Sequence, residues 1–120
     1  MKNSALVIKS TNFVIRIIRL YQFVSKHHNE YVISKQVLRS GTSIGANIRE
    51  AAMGISRPDF IAKLHISLKE ANETEYWLEL LFKTEYLTPE QYNSINDECK
   101  EVKALLISSL KTAKRNQIKK

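Results

Sequence analysis

Leu38-Arg39-Ser40-Gly41-Thr42-Ser43-Ile44-Gly45-Ala46-Asn47-Ile48 is a run of small residues set inside a stretch with helical apolar spacing. Two helices approach closely only where one of them carries almost no side chain, so the run reads as a packing seam. Ile33, Val37, Ser40, Gly41, Ile44, Ile48 and Ala51 align toward a core at that spacing, with Gly41 and Gly45 near its edge. Each glycine costs about 1 kcal/mol against alanine in a helix interior. Close backbone approach or a local bend must offset that cost. The candidate partner is the acidic, aromatic run Lys69-Glu70-Ala71-Asn72-Glu73-Thr74-Glu75-Tyr76-Trp77-Leu78, which brings Ala71 and Glu75 to the seam. The glycine spacing would suit membrane dimerisation in an apolar segment, but Arg39, Arg49 and Glu50 flank it here.

Working outward, the chain has only 3 glycines and 2 prolines, and no segment sustains period-two alternation, so the reading is all-α. His27-His28-Asn29-Glu30 breaks the first apolar pattern, and Gly54-Ile55-Ser56-Arg57-Pro58-Asp59 breaks the second. Ser56 stands as an N-cap with Asp59 at capping-box spacing. Thr88-Pro89-Glu90-Gln91 is a stronger start signal, because it joins an N-cap hydroxyl, proline at the first helical position and glutamine at the third. Helices are predicted near 5–27, 31–53, 57–85 and 89–114. Short loops between helices of this length make neighbours antiparallel, and an up-down-up-down four-helix bundle follows.

The first helix gathers Leu6, Phe13, Ile17, Leu20 and Val24 in one sector, widened by Val14, Ile18 and Tyr21, and sets Lys9, Arg16, Arg19 and Lys26 in another. The fourth helix carries Tyr92, Ile95, Cys99, Val102, Leu106, Ser109 and Ala113 at spacings of three and four, a bundle seam. In the third helix Phe60, Leu64, Leu68, Ala71, Leu78 and Phe82 form the expected core stripe. Glu75 projects from its middle, where a carboxylate needs a partner. Ser40, Asn47 or a cation reaching in would supply one, and water would do so near a bundle end. On the opposite side Ile66, Trp77 and Leu80 lie among Glu70 and Glu73. That second apolar face, together with Phe23 in the cationic sector of the first helix, points to a covering subunit, with the acids paired to basic residues across the interface.

At 120 residues with 43% hydrophobic content, the chain suits one domain spanning 1–120 with a modest core. Its net charge of +7 favours acidic partners such as nucleic acid. The distribution is uneven. Residues 1–49 hold eight Lys or Arg against the single acid Glu30, residues 59–101 hold four against ten, and residues 102–120 hold six against none. The lone Cys99 excludes an internal disulfide, falls at a core-like position and suits a reducing compartment. The apolar stretch near the start is too short for a secretory signal, and Lys9, Arg16 and Arg19 interrupt any membrane span, so a cytoplasmic protein without membrane association is expected.

The runs from Arg39 to Ala51, Asp59-Phe60-Ile61-Ala62-Lys63-Leu64, and Glu70 to Leu78 together resemble the family of 23S rRNA intervening-sequence proteins. The likeness covers nearly the whole chain in order, spacing and loop length. Many relatives carry a glycine after the acid of the first motif, where this chain has Ala51 and then Gly54. The resemblance implies a left-handed antiparallel bundle assembled into ring-like homopentamers. It implies no enzymatic activity. A related branch comprises accessory proteins of diversity-generating retroelements, which bind a reverse transcriptase and nucleic acid.

The chemistry that remains is binding. Lys9, Arg16, Arg19 and Lys26 on the first helix, Lys35, Arg39 and Arg49 on the second, and Lys111, Lys114 and Arg115 in the basic tail 111–120 are the candidate contacts to RNA or DNA phosphates. The tail cations also complement a helix dipole, and a solvated helix end is the competing reading. With no helix-turn-helix, zinc-finger or aromatic RNA-binding signature, contacts should be directed at backbone or shape. The alternative is an adaptor that binds a protein such as a polymerase and has no intrinsic nucleic-acid affinity. His27, His28 and His65 have no metal-ligand spacing around them and there is no glycine-rich phosphate loop, so neither a catalytic residue, a metal nor a cofactor is expected.

Overall fold

The computed structural model describes residues 4–54 and 56–118. Within them lie four helices, α1 Ser4–His28, α2 Val32–Ala52, α3 Arg57–Lys83 and α4 Pro89–Ile118. Among the described residues there is no strand. Helix α4 continues past the predicted end at 114, so Lys111, Lys114 and Arg115 ride on regular helix instead of a frayed arm. Lys119 and Lys120, the end of the basic tail, lie outside the described residues, as does Ile55 in the second break.

Local chemistry explains the helix starts. The Ser56 hydroxyl accepts the Asp59 N–H at 3.2 Å. Thr88 and Gln91 form a reciprocal box, in which Thr88 Oγ1 accepts the Gln91 N–H at 3.1 Å and Gln91 Oε1 accepts the Thr88 N–H at 2.9 Å. Helix α2 has no hydroxyl cap. The Glu30 carboxylate serves instead, accepting N–H groups of Val32, Ile33 and Ser34 at 3.0, 2.9 and 2.8 Å.

Helix α3 ends in a Schellman arrangement. Tyr86 N–H reaches Leu81 O at 2.9 Å and Glu85 N–H reaches Phe82 O at 3.0 Å. Glu85 occupies the left-handed position with φ 71°, where glycine carries no Cβ penalty. Glu85→Gly is therefore expected to stabilise the protein by about 0.5–1 kcal/mol, the relief exceeding the added unfolded-state entropy. A urea midpoint at or below that of the parent protein would refute this.

Helices adjacent in the chain touch one another, and α1 and α4 close the cycle, while the diagonal pairs α1/α3 and α2/α4 do not meet. The registers run in opposite senses. Gly41, Gly45 and Arg49 of α2 meet Ile17, Val14 and Thr11 of α1 in turn. Ser40, Ile44 and Glu50 meet Thr74, Ser67 and Lys63 of α3. The centre of the core is built from Phe13, Ile17, Ile44, Ile48, Leu64, Leu78, Leu81 and Leu106, all at 0% exposure.

Two expected packing details are corrected. The glycines face α1, not the acidic run of α3: a Cβ on Gly41 would stand 2.7 Å from Ile17 Cγ2, and one on Gly45 2.9 Å from Val14 Cγ2. Close backbone approach is thus what they provide, while the contact of α2 with α3 runs through Ser40, Ser43 and Ile44. The buried stripe of α3 is also rotated from the predicted one. It comprises Leu64, Ser67, Ala71, Thr74, Leu78 and Leu81, whereas Phe60, Leu68 and Phe82 are half-buried. Hydroxyls are tolerated in this seam because each finds a partner. Ser67 Oγ donates to Ile44 O at 2.9 Å, and Thr74 Oγ1 lies 2.8 Å from both Ser40 Oγ and Glu70 O. In α1 Ile18, assigned to the core sector, is an exposed residue. In α4 Leu110 is buried and Ser109 only half-buried.

Candidate nucleic-acid interface

The ten candidate cations divide by their surroundings. Lys9 pairs with Glu101 at 3.1 Å and Arg16 with Glu98 at 2.9 Å, both across the α1/α4 contact. Arg39 is held by two acids of α3, Glu73 and, at 3.5 Å, Glu70. These three are already neutralised within the chain. Among the described residues the other seven have no carboxylate partner. Arg19 donates to Gln22 at 3.2 Å and Arg49 to Thr11 at 3.1 Å, and Lys26, Lys35, Lys111, Lys114 and Arg115 are exposed.

Antiparallel packing sorts the seven by end. Arg19, Lys26 and Lys35 stand toward the end where α1 finishes and α2 begins, while Arg49, Lys111, Lys114 and Arg115 stand toward the other.

Glu70 and Glu73 are engaged inside the protomer, which departs from their expected pairing across a subunit boundary. Ser43 Oγ lies 3.4 Å from Glu70 Oε2, and the Trp77 indole N–H donates to Glu73 Oε2 at 2.9 Å. Trp77 is half-buried and packed against the core, as is Leu68, and its ring centroid is 5.0 Å from that of the exposed Tyr76. Leu80 is half-buried and Ile66 is exposed. Charge and spacing pointed to Arg39 as a free cation. What spacing does not show is that α3 presents its acids beside it.

Glu75 finds its partner on α4. Lys103 Nζ donates to Glu75 Oε1 at 2.7 Å, and each side chain is 23% exposed. The cation reaching in is therefore the observed answer, while Ser40 is taken up by Thr74 and Asn47 donates to Ser43 O at 2.8 Å. Below this pair lies Cys99, a fully buried thiol whose sulfur is 3.7 Å from Ala71 O. Burial, aided by the negative charge of Glu75, pushes the thiol up to about 12, so it is no thiolate at neutral pH. No group of three His, Cys, Asp or Glu among the described residues is arranged to hold a metal ion.

Two features are not apparent from sequence alone. The outer face of α1 exposes Ile8 at 58%, Ile15 at 49% and Ile18 at 37%, a second apolar strip whose seven-residue spacing is present in the sequence but merges with the core pattern. Phe23, 37% exposed, packs its ring 5.1 Å from His27 and 5.5 Å from His28, and His28 lies 5.7 Å from Tyr86 of the α3/α4 connection. No linear motif joins Phe23 to Tyr86. Only closure of the bundle brings them together.

A cyclic, antiparallel bundle of four long helices with a glycine-relieved α1/α2 seam and a hydroxyl-lined α2/α3 seam defines a four-helix-bundle protein, and known proteins show which family it falls in. The family model described as 23S rRNA-intervening sequence protein matches residues 2–108, and the chain belongs to that family. The chain is similar to a protein of unknown function from the S23 ribosomal protein family of Bacteroides thetaiotaomicron VPI-5482, known from its crystal structure. The two are 60% identical, the match covers 92% of this chain and 99% of that one, and the TM-score is 0.90. No curated protein matches. Among the described residues no helix is long and apolar enough to cross a membrane.

Proposed function

We propose that the protein is a non-enzymatic, ring-forming scaffold that binds nucleic acid through phosphate contacts from its basic surface. The observation that carries the reading is the set of seven outward cations without carboxylate partners among the described residues, on a chain whose net charge is +7. Each cation that neutralises a phosphate releases a counterion, so affinity comes without sequence readout. Repetition around a ring multiplies a weak patch through effective concentration. A cytoplasmic setting fits the single reduced thiol.

Assembly is supported by the apolar strip of α1 and by two separate exposed apolar residues of α3. Ile8, Ile15 and Ile18 lie on α1, whereas Ile66 and Tyr76 lie on α3, and these helices sit diagonally across the bundle. Different patches on opposite sides favour a head-to-tail contact between copies, and such contacts close into rings when the rotation permits. A homopentamer, as the family resemblance implies, is one such ring.

Salt-titrated gel retardation on RNA and DNA, paired with light scattering for mass, tests the proposal. Affinity for unrelated sequences should fall linearly on a log–log plot against salt, and Arg19→Gln should lessen the slope by about one for each phosphate that Arg19 neutralises. A well-behaved monomer that retards neither polymer at low salt would overturn it. That outcome would leave the protein-interaction adaptor as the working account.

A further inference from the structure

We infer that the cleft on either side of Phe23 is a stacking site for an unpaired base of single-stranded nucleic acid; the inference rests on the nucleic-acid reading above and adds to it what the strand presents. Two cavities meet at this ring. One, of about 600 Å³, runs beneath the α3/α4 connection between Phe23, His28 and Tyr86. The other, of about 340 Å³, lies between α1 and α4 and is lined by Arg16 and Arg19. Phe23, Leu87 and Gln91 line both, so the two hollows adjoin along these three residues.

The chemistry of the cleft is graded along its length. At the bundle end stand three rings set edge to face: the exposed Phe23 and His28, with centroids 5.5 Å apart, and half-buried Tyr86, 5.7 Å from His28. Buried Leu87 forms an apolar floor, at 5% exposure. Arg19 stands one helical turn and Arg16 two turns before Phe23, about 6 and 10 Å along the axis. Arg19 has no carboxylate partner among the described residues, whereas Arg16 shares Glu98. Lys83 and Glu85 both line the wider cavity, and Lys83 is paired with Glu79 at 2.8 Å, so the cation left for an anionic group is Arg19. A flat, uncharged ring seated at the aromatic end with phosphates trailing toward α1 satisfies both halves. Base stacking on aromatic side chains flanked by a cationic track is how sequence-tolerant single-strand sites are built. A duplex, whose bases are already stacked on one another, offers only phosphate to the same surface.

The test uses the full chain with fluorescein-labelled deoxythymidine and uridine oligomers of about 16 nucleotides, a duplex of equal length, and a matching oligomer of abasic residues. Single strands should bind more tightly than the duplex or the abasic strand, on DNA, RNA or both. Phe23→Leu should weaken single-strand binding about tenfold without altering the salt slope, since stacking releases no counterion, while duplex affinity stays unchanged. Arg19→Gln should instead lower the slope for all ligands. Tyr86→Leu provides a second variant should Phe23→Leu fold poorly, with mass and helicity checked for each. Wild-type protein that binds single strand, duplex and abasic strand alike, with Phe23→Leu indistinguishable from it, would overturn the stacking site and leave the phosphate-binding scaffold intact. A lower oligomer mass for Phe23→Leu would make Phe23 a subunit contact and overturn the site as well. No binding to any of the four probes would overturn both proposals.

Discussion

Gly41→Ala is expected to destabilise the protein by about 1–3 kcal/mol through overpacking, although alanine is the better helix former by about 1 kcal/mol. The added Cβ would meet Ile17 Cγ2 at 2.7 Å, Cγ1 at 3.0 Å and Cβ at 3.3 Å. Ile17 is at 0% exposure, and a β-branched side chain has one strongly preferred rotamer in a helix. It has nowhere to retreat. Gly45→Ala meets a single close atom, Val14 Cγ2 at 2.9 Å, on a side chain that is also β-branched but only half-buried. With one close atom in place of three, its net cost should be smaller than that of Gly41→Ala. Urea midpoints at constant m-value would show the asymmetry. Ile17→Ala in the Gly41→Ala background should cost less than the sum of the two single changes, because it removes the atoms that clash. A Gly41→Ala protein as stable as its parent would mean that α1 and α2 do not meet at this seam.

The second large effect is alkaline. In the folded chain Cys99 holds its proton up to about 12 instead of the ordinary 9.0, because burial disfavours the thiolate and the charge of Glu75 adds to the penalty. Between those values the native state binds a proton that the unfolded state has released. Stability therefore falls as pH rises from 9 toward 12, by up to about 1.4 kcal/mol per pH unit, and the contribution is complete below 9. Lys63 and Lys83 are also raised, by their hydrogen bonds and ion pairs with Glu50 and Glu79, and act with the same sign. Comparison with Cys99→Ala isolates the thiol, since both lysines remain in each protein. Wild type should lose stability more steeply than Cys99→Ala across that window. At neutral pH the native thiol should also resist aromatic disulfide reagents until the bundle opens. Equal pH slopes in the two proteins would place the sulfur in water.

Most of the architecture is legible in the sequence because bundle helices announce themselves locally. Ser56 and Thr88 cap where hydroxyl and proline place them, and six of the seven residues buried in α2, all but Ser34, are among those that periodicity aligns toward the core. The start of α2 is legible only as a break, since a carboxylate that gathers three N–H groups from Glu30 obeys no hydroxyl-cap rule. The stripe of α3 differs from its expected position for a related reason. Apolar periodicity gives no weight to Ser67 and Thr74, yet a hydroxyl that donates to a carbonyl, of α2 for Ser67 and of its own helix for Thr74, packs as tightly as a small apolar group.

The candidate interface is legible in part. All ten cations can be named from charge alone, but which of them remain available depends on carboxylates brought in from other helices. Glu101 and Glu98 lie on α4, and Glu70 and Glu73 lie on α3. The depression around Phe23 needs Tyr86 and Leu87 from a connection far away in the chain.

The amino-acid order determined the four helices, the starts of α3 and α4 and the antiparallel cycle, because capping, proline placement and 3.6-residue periodicity act over a few neighbouring residues. Only the tertiary structure decided that the glycines admit α1, that Lys103 satisfies Glu75, and that an aromatic depression opens beside Arg19. Those outcomes depend on how each helix is turned about its axis. One residue of rotation is about 100°, which leaves the local pattern intact while exchanging every partner across the bundle.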